Sequence, residues 1–263
     1  MRLKDKVALV TGAGTKFGRA IALGYAREGA DLFLHEFPRN KNKLTEIAEA
    51  AGSAGQRVAT GVYEITGGDH VDALREQAMK EFGRVDILVN TASDGAHGVF
   101  FDLSEEEWDR CIDVGLKSYF LTCQYIGKEM ARRGTGRIIN LSSIVGRIGS
   151  GGAVPWSAAR GGVDSMTKAI AHALGFYGIR VNALAHGGVE SNDYTVAARE
   201  ERLRRLPFGR LGVEDDIVGP AVFLATSDSD WVHGVVLYVD GGYTGAAVTD
   251  DEHRPVEVPY RVV

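Results

Sequence analysis

Cysteine and proline are scarce in this chain of 263 residues, with two of the first and six of the second. No apolar run approaches the roughly 20 residues that a membrane-spanning helix needs. A disulfide scaffold is excluded, because Cys111 and Cys123 fall in one predicted helix with neither CxxC nor metal-ligand spacing. They read as reduced structural thiols, and no metal site is expected. A charged-then-apolar leader is missing at the start, so the cytoplasm is the expected compartment. The formal charge is -5, and there is no basic stripe or basic-aromatic interleaving. Nucleic acid and anionic membrane surfaces are therefore not expected partners. Linkers and internal repeats are also lacking, which leaves one domain whose 44% apolar content can fill a core.

What the chain does have is alternation. A β-rich run at Val7–Val10 leads through a glycine turn into a helical stretch from Phe17 to Glu28. The pattern continues with strand Asp31–Phe37, helix Asn42–Ala51, strand Val58–Tyr63, helix Gly68–Phe82 and strand Val85–Asn90. Ser104 and Glu107 have capping-box spacing at the head of a long helix reaching Arg133. Then come strand Arg137–Leu141, helix Trp156–Phe176, strand Arg180–Ala185, an irregular stretch Asn192–Arg210, helix Val213–Ala225 and strand Val235–Val239. Strands alternating with helices predict an α/β fold with a parallel sheet and right-handed crossovers. Residues 1–244 form the expected domain and residues 245–263 an irregular tail.

Five ordered motifs sit on these elements: Thr11-Gly12-Ala13-Gly14, Asn90-Thr91-Ala92, Ile138 to Ser143, Ile179-Arg180-Val181-Asn182 and Asp240-Gly241-Gly242. Together they resemble the short-chain dehydrogenase/reductase family over residues 3 to 244. The resemblance implies a single-domain, Rossmann-like, doubly wound parallel sheet, a nicotinamide cofactor and a homodimer or homotetramer. It also implies cofactor roles for Gly12, Gly14, Lys16, Phe17, Gly18, Glu36, Glu64, Ile65, Asn90, Ala92, Arg160 and Gly187. Glu36 stands where the family places an acid for the adenosine ribose, which favours NAD over NADP, although Arg39 is near. Lys16 replaces the middle glycine of the turn. It either folds outward as a point charge or fills the phosphate volume, so NAD(H) binding is expected to be weakened or absent. Ser93 replaces a further glycine.

The family's Asn, Ser, Tyr, Lys tetrad corresponds here to Gly115, Ser143, Trp156 and Arg160. Tyrosine and lysine four residues apart share a helix face, where the ammonium lowers the phenol pKa. Indole has no accessible titration and a guanidinium stays charged, so that relay is not expected to run. His186, in the family's Pro-Gly turn, is the best replacement acid, with Asp94 and His97 less specific candidates and Tyr194 in an expected lid. The altered positions on this scaffold thus point to a pseudoenzyme-like subunit that pairs with an active homologue in a hetero-oligomer, within a general expectation of a homo- or hetero-oligomer. The alternatives are an atypical NAD(H)-linked oxidoreductase using Ser143, His186 and Arg160, and a cofactor-independent dehalogenase, lyase or small-molecule binder. Halohydrin dehalogenases keep Ser and Arg at this spacing but also need the tyrosine. Helices Ser104–Arg133 and Trp156–Phe176 correspond to the family's main dimer contact.

Overall fold

A computed structural model describes residues 1–95, 97–191 and 194–245; the expected tail beyond them lies outside the described residues. The glycine turn separates β1 (Val7–Thr11) from α1 (Lys16–Arg27). Next in the chain are β2 (Asp31–Glu36), α2 (Asn42–Gly52), β3 (Val58–Val62), α3 (Gly68–Phe82) and β4 (Ile87–Asn90). The second half runs α4 (Glu105–Ile112), α5 (Ser118–Arg133), β5 (Gly136–Ser143), α6 (Val145–Ile148) and α7 (Val154–Gly175). It closes with β6 (Ile179–His186), α8 (Val196–Arg204), α9 (Val218–Ala225) and β7 (Val236–Val239).

All seven strands are parallel in the order β3-β2-β1-β4-β5-β6-β7. That is the expected doubly wound sheet, and its order reverses between β1 and β4, where such sheets open a ligand crevice. Every residue of β1 and β4 is buried, because helices cover both faces. One apolar layer packs Ile21, Tyr25, Leu44 and Leu224 against the sheet, and the other packs Leu74, Tyr119, Ile126 and Val163. Register carries the motifs to one edge, since Thr11 pairs with Asn90, Asn90 with Asn140, and Ser143 with His186.

Three elements differ from the sequence expectation. The long helix from Ser104 keeps its capping box but is broken by a π-helical turn, Asp113–Lys117, with Gly115 at its centre. Such turns insert one residue into a helix and accumulate at functional sites. The expected irregular stretch after Asn192 contains α8, whose Thr195 side chain caps the Ala198 amide. The helix expected from Val213 splits into a 3-10 turn, Glu214–Ile217, followed by α9. Among the described residues no helix is long and apolar enough to cross a membrane, and no metal-binding cluster occurs.

Candidate active site

The turn between β1 and α1 is built by contacts that forbid side chains. Gly12 has φ +67°, and a Cβ there would lie 2.6 Å from Ala92 Cα. A Cβ on Gly18 would lie 2.4 Å from the Gly12 carbonyl oxygen. Thr15 caps α1 by accepting from the Gly18 amide at 3.0 Å, while Thr91 Oγ1 donates to the Thr11 carbonyl at 2.6 Å. Backbone amides at the head of a 12-residue helix, with no acidic residue in its first turn, make a fitting cradle for an anionic phosphate. Lys16 does not fill that space. Its ammonium extends outward to Glu214 at 3.5 Å and is more than half exposed, which removes the obstructive reading.

Around this cradle the expected cofactor residues separate into two groups. Glu36 is buried, and its two oxygens accept the amides of Gly14 at 2.7 Å and Phe37 at 2.9 Å, so the carboxylate braces the turn from beneath. Gly187, through its amide to the Val239 carbonyl, and half-buried Glu64 also stand at the strand ends. Asn90 is different: its amide donates to Asn140 Oδ1 at 2.9 Å and its carbonyl accepts from Thr122 at 2.8 Å, so the side chain ties strands together in the core. Ile65 is fully buried packing. Asp94 is clasped by Arg39 at 3.0 Å and Arg110 at 3.3 Å.

His35 is a site residue that sequence reasoning missed. Its Nδ1 accepts the Gly12 amide at 3.4 Å and its Nε2–H donates to the Tyr63 carbonyl at 3.0 Å, so the neutral ring links the turn to the neighbouring strand. Burial pushes its pKa down to about 4, against a smaller upward pull from the Tyr63 bond. Adjacency to Glu36 in β2 was the available signal.

The tetrad positions do converge. Ser143 ends β5 with only long contacts, donating to the His186 carbonyl at 3.4 Å and accepting from Val145 N at 3.5 Å, so its hydroxyl is free to turn. Trp156 lies in the first turn of α7, its ring 5.6 Å from His97 and 6.1 Å from His186. Phe17 completes this aromatic wall, 4.2 Å from His186. A cavity of about 460 Å³ opens beside it, lined by Phe17, His186, Val189, Leu206, Phe208 and Tyr238. Gly115 leaves room next to α7, where an added Cβ would meet only Ala159 and Arg160 at ordinary contact distance.

Arg160 is 2% exposed, and its Nη1 donates to Tyr119 Oη at 3.1 Å and to the Leu141 carbonyl at 2.7 Å. Tyr119, one turn beyond Gly115, was not anticipated. Burial raises its phenol pKa despite the opposing pull of Arg160, so it remains a neutral hydroxyl that accepts from the guanidinium. The proposed acid fares poorly: His186 Nδ1–H donates to the Gly187 carbonyl at 2.8 Å, and burial pushes its pKa down to about 4. At neutral pH it is an uncharged ring whose remaining nitrogen can only accept.

A family profile described as enoyl-(acyl carrier protein) reductase matches residues 12–244. The 3-oxoacyl-(acyl-carrier-protein) reductase of Thermotoga maritima is 36% identical over 245 residues, covering 92% of this chain and 99% of that protein. The (2S)-((R)-hydroxy(phenyl)methyl)succinyl-CoA dehydrogenase subunit BbsD of Thauera aromatica is 37% identical over 245 residues, covering 92% and 98%. The crystal structure of a gluconate 5-dehydrogenase from Burkholderia cenocepacia in complex with NADP and tartrate superposes with a TM-score of 0.88 at 32% identity, covering 93% of this chain and 97% of that one. These similarities to named reductases and dehydrogenases overturn the expectation that the altered tetrad marks a non-catalytic subunit.

Proposed function

Because the chain belongs to the short-chain dehydrogenase/reductase family, we propose that it is a nicotinamide-dependent oxidoreductase interconverting a carbonyl and a hydroxyl group on a small organic substrate. The observation that carries this reading is the phosphate cradle, where Gly12 and Gly18 let the turn close tightly against Ala92 and Thr91 ahead of α1 and Lys16 extends away to Glu214. A nicotinamide bound beside this edge would supply or accept the hydride. The first amides of α1, those of Lys16 and Phe17, would hold its phosphates, while Gly12, Gly14 and Gly18, whose own amides are bonded to His35, Glu36 and Thr15, shape the turn that presents them. The buried carboxylate of Glu36 at the end of β2 makes a 2'-phosphate unfavourable, which supports NAD over NADP.

Ser143 is the mobile hydroxyl that donates to the substrate oxygen. The proton that balances the hydride is exchanged with water, because Trp156 cannot titrate and His186 is neutral with its N–H engaged. Arg160 contributes fixed positive charge close to the oxygen on which negative charge develops. Without a positioned general acid, turnover is slower than a phenol-based relay by about 10²- to 10⁴-fold. The purified chain is expected to bind NADH, read by nicotinamide fluorescence, and to oxidise it slowly with a 3-oxo acid. Gly18→Val should abolish binding. Wild-type protein that does not bind NADH would refute the proposal.

Assembly follows the same family reading. A trough of about 600 Å³ runs between α5 and α7, lined by Phe120, Gly127, Ala131, Ile170, Ala173 and Leu174. Phe120 and Tyr177 are half exposed at its rim. A second copy of the chain is the proposed occupant, since these are the two helices through which the family pairs.

A further inference from the structure

Apolar side chains that face water are not spread evenly over this chain. On the connection from β4 to α4 three stand in succession: Val99 and Phe100 are more than half exposed and Phe101 is 91% exposed. A run of that kind on a solvated loop invites association and is kept where it has a ligand to bind. Ile148 in α6 is half exposed, and beyond β6 both Val196, at the head of α8, and Phe208 are more than two-thirds exposed. All of these residues lie on connections that leave the carboxyl ends of strands, where doubly wound sheets bind their ligands.

The first group is built to stay outside. Its 3-10 turn, Phe100–Asp102, closes on itself, with the Asp102 amide donating to the Val99 carbonyl at 3.0 Å. The two phenyl rings lie edge to face with centroids 5.5 Å apart. Both flanks of the turn are tied to the tetrad helix. Before it, the Gly98 amide donates to the Gly152 carbonyl at 3.1 Å and His97 lies 5.6 Å from the Trp156 ring. After it, Leu103 and Trp156 pack on the same small core of Cys111 and Ala159. The exposed rings are therefore fixed beside the site and are continuous with it. Charge narrows the choice of occupant, because Asp102, Glu105, Glu106 and Glu107 follow the rings directly and repel an anionic lipid surface. The trough between α5 and α7 offers a second copy a separate face. A ligand whose reacting end sits at Ser143 and Trp156 reaches the rings by extension alone.

We propose that Phe100 and Phe101, with Val99 and Ile148, form an apolar rim that holds the tail of an amphiphilic substrate, a hydroxyl or carbonyl compound with a long alkyl chain. The inference rests on the oxidoreductase reading, of which it names the substrate class. Each methylene that such a tail buries strengthens binding about fourfold, so a chain that passes beyond the site gains far more than a short one. That gain is common to ground and transition states and falls on KM rather than on kcat.

The probes are butanol, hexanol, octanol and decanol, titrated by calorimetry into the full-length chain with and without NAD. Affinity should rise at least about twofold per methylene along the series. Phe100→Ser combined with Phe101→Ser should weaken decanol about tenfold or more, leave butanol unchanged and keep the melting temperature close to that of wild type, because both rings are exposed. Trp231→Ser removes a fully exposed ring ahead of β7, at the other end of the strands, and should leave the gradient intact. Affinity that does not rise with chain length, or a rise that survives the loss of both phenylalanines, overturns the proposal. So does a double variant that binds decanol like wild type but sediments at a lower mass, which would assign the rings to a second copy. NADH is followed separately by its fluorescence. A gradient lost in the double variant of a protein that binds no NADH would refute the oxidoreductase reading and leave the apolar rim standing, and NADH binding without a gradient would do the reverse.

Discussion

At the scale of single residues, the site turns on what tryptophan and arginine can and cannot do where a tyrosine and a lysine would share a helix face. Trp156 gives a donor without titration, and Arg160 gives charge without a transferable proton. Restoring the relay should therefore restore speed. Trp156→Tyr combined with Arg160→Lys should raise kcat about 10²-fold or more, measured as NADH oxidation near neutral pH. A gain below tenfold would show that proton supply is not what limits turnover. The spacing of these residues was legible in the sequence, as was the identity of Ser143. The orientation of Arg160 was not, because Tyr119 reaches it from α5 and Leu141 from β5. Lys16 likewise looked obstructive until Glu214, from the far end of the chain, drew it outward.

At the scale of elements, the strands and most helices could be read from periodicity, since β1 and β4 are short apolar runs and the other strands carry an apolar stretch bounded by turn residues. The π-helical turn could not, because it preserves the apolar spacing on either side and shifts it by one residue. β2 carries a further consequence through His35. A histidine pushed from its ordinary 6.5 to about 4 when folded binds its proton less readily than in the unfolded chain. Stability from this residue is thus complete above pH 6.5, falls as the pH drops through that range and is lost by about pH 4, amounting to about 3 kcal/mol. Urea unfolding at pH 7, 5 and 4 should show this decline, and His35→Gln should remove about half of it, since His186 is pushed down to about 4 in the same way. Because protonated His35 can no longer accept the Gly12 amide, NADH affinity should weaken over the same interval. An unchanged slope in the variant would assign the acid sensitivity to other groups.

For the whole molecule, the fold places chemistry on one edge of the sheet and an apolar trough on a distant helix pair. The wild-type chain should sediment at twice its mass of 28.3 kDa or a higher multiple. Ala173→Arg, which sets a charge in the trough between α5 and α7, should yield monomers that still bind NADH. Wild-type protein sedimenting as a monomer would remove that face as an interface. The π-helical turn at Asp113–Lys117 joins these distant regions. It works as a spacer that sets the rotational phase of everything after it: Tyr119 faces inward to the guanidinium and Phe120, the very next residue, faces the outer trough. Deleting a single residue there would turn the 16-residue helix that follows by about 100°. The buried contact and the outer face would be lost in one event, so an insertion or deletion in this loop-free stretch of helix is more damaging than in any surface loop.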